Sequence, residues 1–239
     1  MNIANQIALV TGANRGLGQQ LARELVARGA KVYAGARNPQ AVDIPGVIPL
    51  QLDITDPKSV AAAAETAKDV TLLINNAGTS TGGSLLEDDL SKMHLEFDTH
   101  VFGTLAMVRS FAPVIERNGG GAILNILSVL SWFTTGGAGA YTAAKTAEWG
   151  MTNVLRLNLA PRNVRVAGLH VGFMDTDMTA DIQAPKSSPA DIAKIAVDGL
   201  EADSYEIVAD EVSRSVLKNL SGGVATIYPH LFETASAVN

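Results

Sequence analysis

"IALVTGANRGLG", Ile7 to Gly18, decides how the rest of the chain is read. Its first five residues suit a buried strand, and a helix-like run begins near Leu17. Between them Gly12, Gly16 and Gly18 let the backbone turn sharply. They also let it approach a pyrophosphate at a helix amino terminus, where unpaired N–H groups and the helix dipole favour negative charge. The same glycines serve a tight turn that binds nothing. The choice narrows because strand, turn and helix follow without a gap, and because the spacing is TGxxxGxG rather than the GxGxxG of ordinary dinucleotide folds.

Outward from this stretch, apolar runs alternate with helical ones. Ile7–Thr11, Lys31–Ala36, Val47–Asp53, Val70–Asn75, Gly121–Ser128, Val164–His170 and Tyr205–Ala209 read as strands. Leu17–Arg28, Pro57–Lys68, Ser91–Arg117, Ala140–Ala160, Pro189–Leu200 and Asp210–Asn219 read as helices. Near-continuous apolar strands separated by helices predict an α/β fold: a doubly wound, mainly parallel seven-stranded sheet of Rossmann type with helices on both faces. Ser91–Arg117 is long for one helix and is expected to be two helices or one that bends, with Pro113 near its end. With no linker, repeat or low-complexity tract, residues 1–239 are expected to form a single dinucleotide-binding domain carrying both cofactor and substrate sites.

Composition removes several classes of function. The net charge of −6 argues against nucleic acid or an anionic membrane as the partner. With no cysteine there is no disulfide, no thiolate nucleophile and no cysteine-bound metal. The histidines 94, 100, 170 and 230 lack HxxxH or HExxH spacing, so no metal site is expected. The first residues show no secretory pattern and the apolar runs are too short to span a bilayer, so the expected location is the cytoplasm.

The second strand ends at Ala36, where many nicotinamide enzymes place an acid for the ribose 2′-hydroxyl. Arg37 follows it, and Arg15 lies inside the glycine turn. Guanidinium groups bind a 2′-phosphate that an acid would repel, so NADP(H) is favoured over NAD(H). Asp53 is read either as an acceptor for an adenine amino group or as the start of the next turn.

Four ordered motifs then converge: TGxxxGxG at Thr11–Gly18, "NNAG" at Asn75–Gly78, Ser128, and YxxxK at Tyr141–Lys145. Together they resemble the short-chain dehydrogenase/reductase family, in its compact single-domain subgroup, from about residue 5 to 220. The resemblance implies that Tyr141 protonates or deprotonates the reacting oxygen, that Ser128 orients it, and that Lys145 assists Tyr141 while binding the nicotinamide ribose. It also implies cofactor contacts at the glycine turn, from Gly12, Asn14, Arg15, Gly16, Leu17 and Gly18. Others are implied at Arg37, Asp53 and Ile54, at Asn75, Ala77 and Gly78, and at Gly172 and Thr176. A phenol titrates near 10, so a Tyr141 that works at neutral pH calls for stabilisation of its phenolate. An ammonium about 4 Å away supplies on the order of 4 kcal/mol at an effective dielectric of about 20, which makes Lys145 the expected source. The family's frequent oligomers imply a homodimer or homotetramer.

Two positions depart from the family's pattern. "HVGFMDT" has Val171 in place of a proline, and "DTHVFG" has His100 in place of an asparagine that helps hold a proton-relay water. His100 is therefore a candidate member of the catalytic set, the alternative being a packed, hydrogen-bonded histidine. His94 and His230 read as surface or packing residues. Thr79, Ser80, Val129–Phe133, Phe173 and Met174 are expected to border an apolar substrate pocket, with Met174–Ser188 as a mobile lid. The expected function is NADP(H)-dependent carbonyl reduction or alcohol oxidation on a small, largely apolar substrate. A 3-oxoacyl-carrier-protein reductase and a non-catalytic NADP-sensing protein are the alternatives.

Overall fold

In the computed structural model, which describes residues 1–233, the alternation becomes one seven-stranded sheet. The strands are β1 (Ile7–Thr11), β2 (Lys31–Ala36), β3 (Val47–Gln51), β4 (Leu72–Asn75), β5 (Gly121–Ile126), β6 (Val164–His170) and β7 (Glu206–Val208). All pair in parallel, in the order β3-β2-β1-β4-β5-β6-β7. The chain winds outward from β1 to β3 and then returns to place β4 on the other side of β1. The crevice for a ligand in such a sheet lies at that reversal, beyond the carboxyl ends of β1 and β4.

The helices are α1 (Gly16–Ala27), α2 (Pro57–Thr66), α3 (Leu90–Phe97), α4 (Thr104–Arg117), α5 (Gly139–Leu159), α6 (Pro189–Glu201) and α7 (Glu211–Asn219). Two short ones, α8 (Gly223–Ile227) and α9 (His230–Glu233), lie beyond the helices expected from the sequence. Side chains alternate across a strand, which divides the core in two. Ala8 and Val10 of β1 pack with Leu21 and Leu25 of α1 and with Ala196 and Leu200 of α6. Leu9 points the other way, among Val60 of α2, Phe111 and Ile115 of α4, and Leu159 of α5. Both faces are thus covered, and that is why the strands read as unbroken apolar runs. Burying a side chain such as Leu21 or Phe111 contributes roughly 1.5–3 kcal/mol.

Several strands stop short of the lengths read from sequence, because the residues beyond them take up other bonds. Asp53 N–H donates to Ser59 Oγ, and Ser128 caps a single turn of 3₁₀ helix at Val129–Ser131. The expected break in the long helix is a π-helical segment, Asp98–Gly103, between α3 and α4. Pro113 sits inside α4 without ending it. Such π turns gather at functional sites, and this one carries His100.

The turn after β1 shows why the glycines are required. Gly12 and Gly16 have φ of 66° and 55°, a region that side chains with a Cβ rarely adopt. A Cβ on Gly18 would lie 2.3 Å from the Gly12 carbonyl oxygen and 2.4 Å from Asn76 Nδ2. Because a backbone oxygen cannot rotate away, Gly18→Ala is expected to cost about 1–3 kcal/mol, read as a lowered midpoint in thermal denaturation.

Candidate active site

The end of β1 is tied to the end of β4 by a small set of bonds. Thr11 Oγ1 accepts from the N–H groups of Asn76 and Ala77, each at 2.9 Å, and Asn76 Nδ2 donates to the Thr11 carbonyl at 2.8 Å. Asn76, which the motif reading left without a role, therefore fixes the glycine turn. Its neighbour Asn75 turns into the protein, where Nδ2 donates to Asn125 Oδ1 at 2.9 Å. Asn125 in turn donates to Thr152 on α5.

No side chain caps the first turn of α1, and Arg15, the residue before it, is extended. The N–H groups there are left without a side-chain partner, beside Gly12 and Gly16, whose positive φ a residue with a Cβ rarely adopts. These features fit a pyrophosphate. Thr176 lies across Gly16, with its methyl group 3.4 Å from where a Cβ would stand. Arg15 Nη1 meets Asp177 Oδ2 at 3.0 Å in an exposed pair, and such pairs contribute little. Arg37 is exposed just past the buried Ala36, so a 2′-phosphate at the end of β2 would meet no acid from that strand. Asp53 closes a turn: Oδ1 accepts from Thr55 N at 2.9 Å and Thr55 Oγ1 at 2.7 Å. Those bonds, aided by the Arg37 charge, hold its carboxyl below the usual aspartate range. Ile54 is buried against Gly103 of the π segment.

Ser128, Tyr141 and Lys145 gather at the ends of β5 and α5. Ser128 Oγ accepts from Leu130 N at 3.1 Å, which leaves its O–H to donate. Lys145 is buried, and Nζ donates to the Ile126 carbonyl and to Glu148 Oε2, both at 2.7 Å. From the centre of the Tyr141 ring Nζ is 5.9 Å away. The expected depression of the phenol is therefore not what the fold produces. Burial raises Tyr141 above the ordinary phenol value, Lys145 and a hydrogen bond with Ser128 pull it down, and Glu148 and Glu96 push it up again. Burial works against the Lys145 ammonium, but Glu148, Tyr141 and Glu96 together outweigh it and raise the lysine above its ordinary value.

Glu148 and Glu96 did not emerge from the motifs. The i,i+3 spacing of Lys145 with Glu148 and the i,i+4 spacing of Glu96 with His100 were the available signals. Both carboxylates are buried. His100 lies between them: Nε2 is 3.3 Å from Glu96 Oε2 and Nδ1 is 4.0 Å from Glu148 Oε2. Nε2 also reaches the Thr79 carbonyl at 2.9 Å, and the ring meets Tyr141 edge to face at 5.3 Å. Glu96 Oε1 accepts from Thr81 N at 2.6 Å, so the same cluster holds the loop that follows NNAG. Burial penalises the Glu96 carboxylate, yet its bonds to His100 and Thr81 hold it below the usual glutamate range. Gly78 is small because His100 lies over it: a Cβ there would be 2.7 Å from the imidazole Cε1.

At the end of β6 the buried His170 stacks on Trp132, with ring centres 3.6 Å apart, and pairs with Glu206. Its Nδ1 lies 3.2 Å from the Ser128 carbonyl. Val171, where a proline was expected, is buried, and its carbonyl accepts from Val129 N at 3.0 Å. Gly172 N donates to Asp210 Oδ2 at 2.5 Å, so a residue that also caps α7 fixes the start of the segment leading to Thr176. Phe173 is exposed and Met174 packs against the core. His94 and His230 are both exposed.

The sequence profile described as short chain dehydrogenase matches residues 6–187. The chain belongs to the short-chain dehydrogenase/reductase family. It is an oxidoreductase of that family, whose members bind a nicotinamide cofactor. A crystal structure of a short chain dehydrogenase from Burkholderia cenocepacia in complex with NADP is 37% identical and superimposes with a TM-score of 0.92, over 97% of this chain and 99% of that one. The 3-oxoacyl-acyl-carrier-protein reductase of Escherichia coli is 33% identical over 75% of this chain and 78% of its own. A family member from Burkholderia phymatum in complex with NAD shares the fold, with a TM-score of 0.84 at 22% identity, over 92% of this chain and 94% of that one.

Proposed function

We propose that this family member is an NADP(H)-dependent carbonyl reductase or alcohol dehydrogenase for small, largely apolar substrates. The observation that carries the reading is the Tyr141 phenol, half-buried at the carboxyl end of the sheet with Ser128 close enough to lower its pKa and Lys145 one helical turn along. Bound at the glycine turn, the cofactor supplies or accepts the hydride. Tyr141 gives its proton to the carbonyl oxygen during reduction and takes it back during oxidation. Ser128, whose oxygen already accepts from Leu130, donates its O–H to the same oxygen and fixes its position. Lys145 binds the nicotinamide ribose in this reading and offsets part of the negative charge that Glu148 and Glu96 place around the phenol, and His100 forms part of the proton path behind it.

For the cofactor, the reading rests on Arg15 and Arg37 with no acid after β2, and on the likeness to the Burkholderia cenocepacia protein. Gly12, Asn14, Gly16, Leu17 and Gly18 hold the pyrophosphate in this reading. Asp53, Ile54, Ala77 and Gly78 line the adenosine side, with Gly172 and Thr176 toward the nicotinamide, while Asn75 supports the end of β4 from within through Asn125. One domain holds both sites, in a homodimer or homotetramer located in the cytoplasm. Among the described residues no helix is long and apolar enough to cross a membrane. A second reading, reduction of a 3-oxoacyl thioester on a carrier protein, is favoured by the likeness to the Escherichia coli enzyme. Against it, the segment after Gly172 has Lys186 but no basic cluster to receive an acidic carrier.

Tyr141→Phe removes the proton donor alone. It is expected to lower the rate of ketone reduction by about 10²–10⁴-fold while NADPH binding stays near normal, as measured by cofactor oxidation and by fluorescence titration. Retention of more than a tenth of the rate would overturn the assignment. For the cofactor, charge-assisted bonds of about 1.5–3 kcal/mol each imply a preference for NADPH over NADH on the order of 10²-fold. The Arg15→Ala, Arg37→Ala double variant should abolish that preference, and equal affinities in the wild type would refute it. His100→Ala is expected to lower turnover under saturating NADPH, while His100→Asn, which restores the family's residue, keeps it within roughly tenfold. Equal rates in both variants and the wild type would make His100 a packing residue.

A further inference from the structure

Among the described residues Lys145 is the one buried lysine or arginine, and its nearest partner is not the tyrosine that it is expected to serve. Glu148 lies one turn further along α5 and takes the ammonium at 2.7 Å. Thr104 Oγ1 of α4 donates to the other oxygen of Glu148 at 3.3 Å, and His100 of the π segment faces it from 4.0 Å. Glu148 is almost completely buried, so water cannot screen the pair. An ammonium beside a carboxylate presents little net charge to a third group, and the phenol is that third group. The groups around Tyr141 are Lys145 and Glu148 from its own helix, Glu96 from α3, His100 from the π segment and Ser128 from the end of β5. Two carboxylates and one ammonium leave no net positive charge to draw a proton from the phenol.

We propose that Glu148 is a positioning residue that holds the Lys145 ammonium and thereby keeps the Tyr141 phenol protonated, so that the site rests ready to reduce a carbonyl rather than to oxidise an alcohol. Tyr141 then meets an arriving ketone with its proton in place. Oxidation of an alcohol begins only once alkaline pH has removed that proton. The inference rests on the assignment of Tyr141 as the proton donor.

The test is Glu148→Gln, which keeps an oxygen for Lys145 and removes the charge. Glu148→Ala, which leaves room for a water beside Nζ, is the second variant, and both are checked for native circular dichroism. The first readout is the ultraviolet absorbance of tyrosinate as pH rises. The Tyr141 contribution is isolated by subtracting the matching Tyr141→Phe protein, since Tyr33, Tyr205 and Tyr228 also titrate. Loss of the Glu148 charge is expected to bring ionisation of Tyr141 to lower pH by about one unit or more. The alkaline limb of ketone reduction and the onset of alcohol oxidation should move the same way, while Glu148→Asp restores wild-type behaviour. An absorbance titration that stays in place or moves to higher pH overturns the proposal. So does loss of fold in both variants, which would make Glu148 an anchor for α5. The titration needs neither substrate nor cofactor. If it shifts while the rate profiles do not, the hold of Glu148 on Tyr141 is upheld and the donor assignment fails instead.

Discussion

A parallel sheet covered by helices on both faces has no wet side, and this constraint organises the molecule. Polar side chains cannot be spread along the strands without burial of unpaired groups, so they collect where the strands end. Thr11, Asn75 and His170 each end a strand, and Ser128 lies just past one. All four are at the carboxyl edge of the sheet, along the ends of β1, β4, β5 and β6. Asn125 stands inside β5, and it is tolerated because Asn75 and Thr152 satisfy its amide from either side. The site is thus the one place where the fold lets polar chemistry accumulate.

Burial also dictates how that chemistry is balanced. An ammonium taken out of water needs partners, and Lys145 finds them in a backbone carbonyl and in Glu148. Glu148 then needs partners of its own, which brings in Thr104 and His100, and His100 brings in Glu96. The series ends at Thr81 N, on the loop beside the substrate side. Charge compensation in the core and placement of a surface loop are therefore one network, and a change at either end is felt at the other.

The seven strands, their parallel sense and the central helices were legible because the inner strands are largely apolar on both faces and the helices between them turn an apolar side to the sheet. The glycine turn, Ser128, Tyr141 and Lys145 were legible because their chemistry lies in short local motifs. What sequence left hidden depends on side chains that are distant in the chain and adjacent in space. Glu96 and Glu148 look like ordinary surface acids on two separate helices, and only the packing of α3 against α5 buries them together. The field at the phenol followed from that same packing. Lys145 alone in the sequence implied a depressed Tyr141, whereas burial raises it and the two glutamates work against the pull of Lys145. Asn76 and Asp210 were missed for a similar reason, since each fixes a backbone group that belongs to another part of the chain.

The π segment has a consequence for how this site tolerates change in length. A π turn holds one residue more than an α turn, so α3 and α4 are out of phase by roughly the 100° that one residue sweeps. Glu96 lies on one side of that phase jump, with His100 inside it and Thr104 just beyond. Deleting a single residue between Phe97 and Gly103 would let the helix run on in regular geometry, with its hydrogen bonds improved. It would also turn the whole of α3 about its axis and carry Glu96 away from the imidazole. The surplus residue is a spacer that gives two helical registers to one continuous rod. At this point the backbone can gain regularity only by dismantling the cluster behind Tyr141.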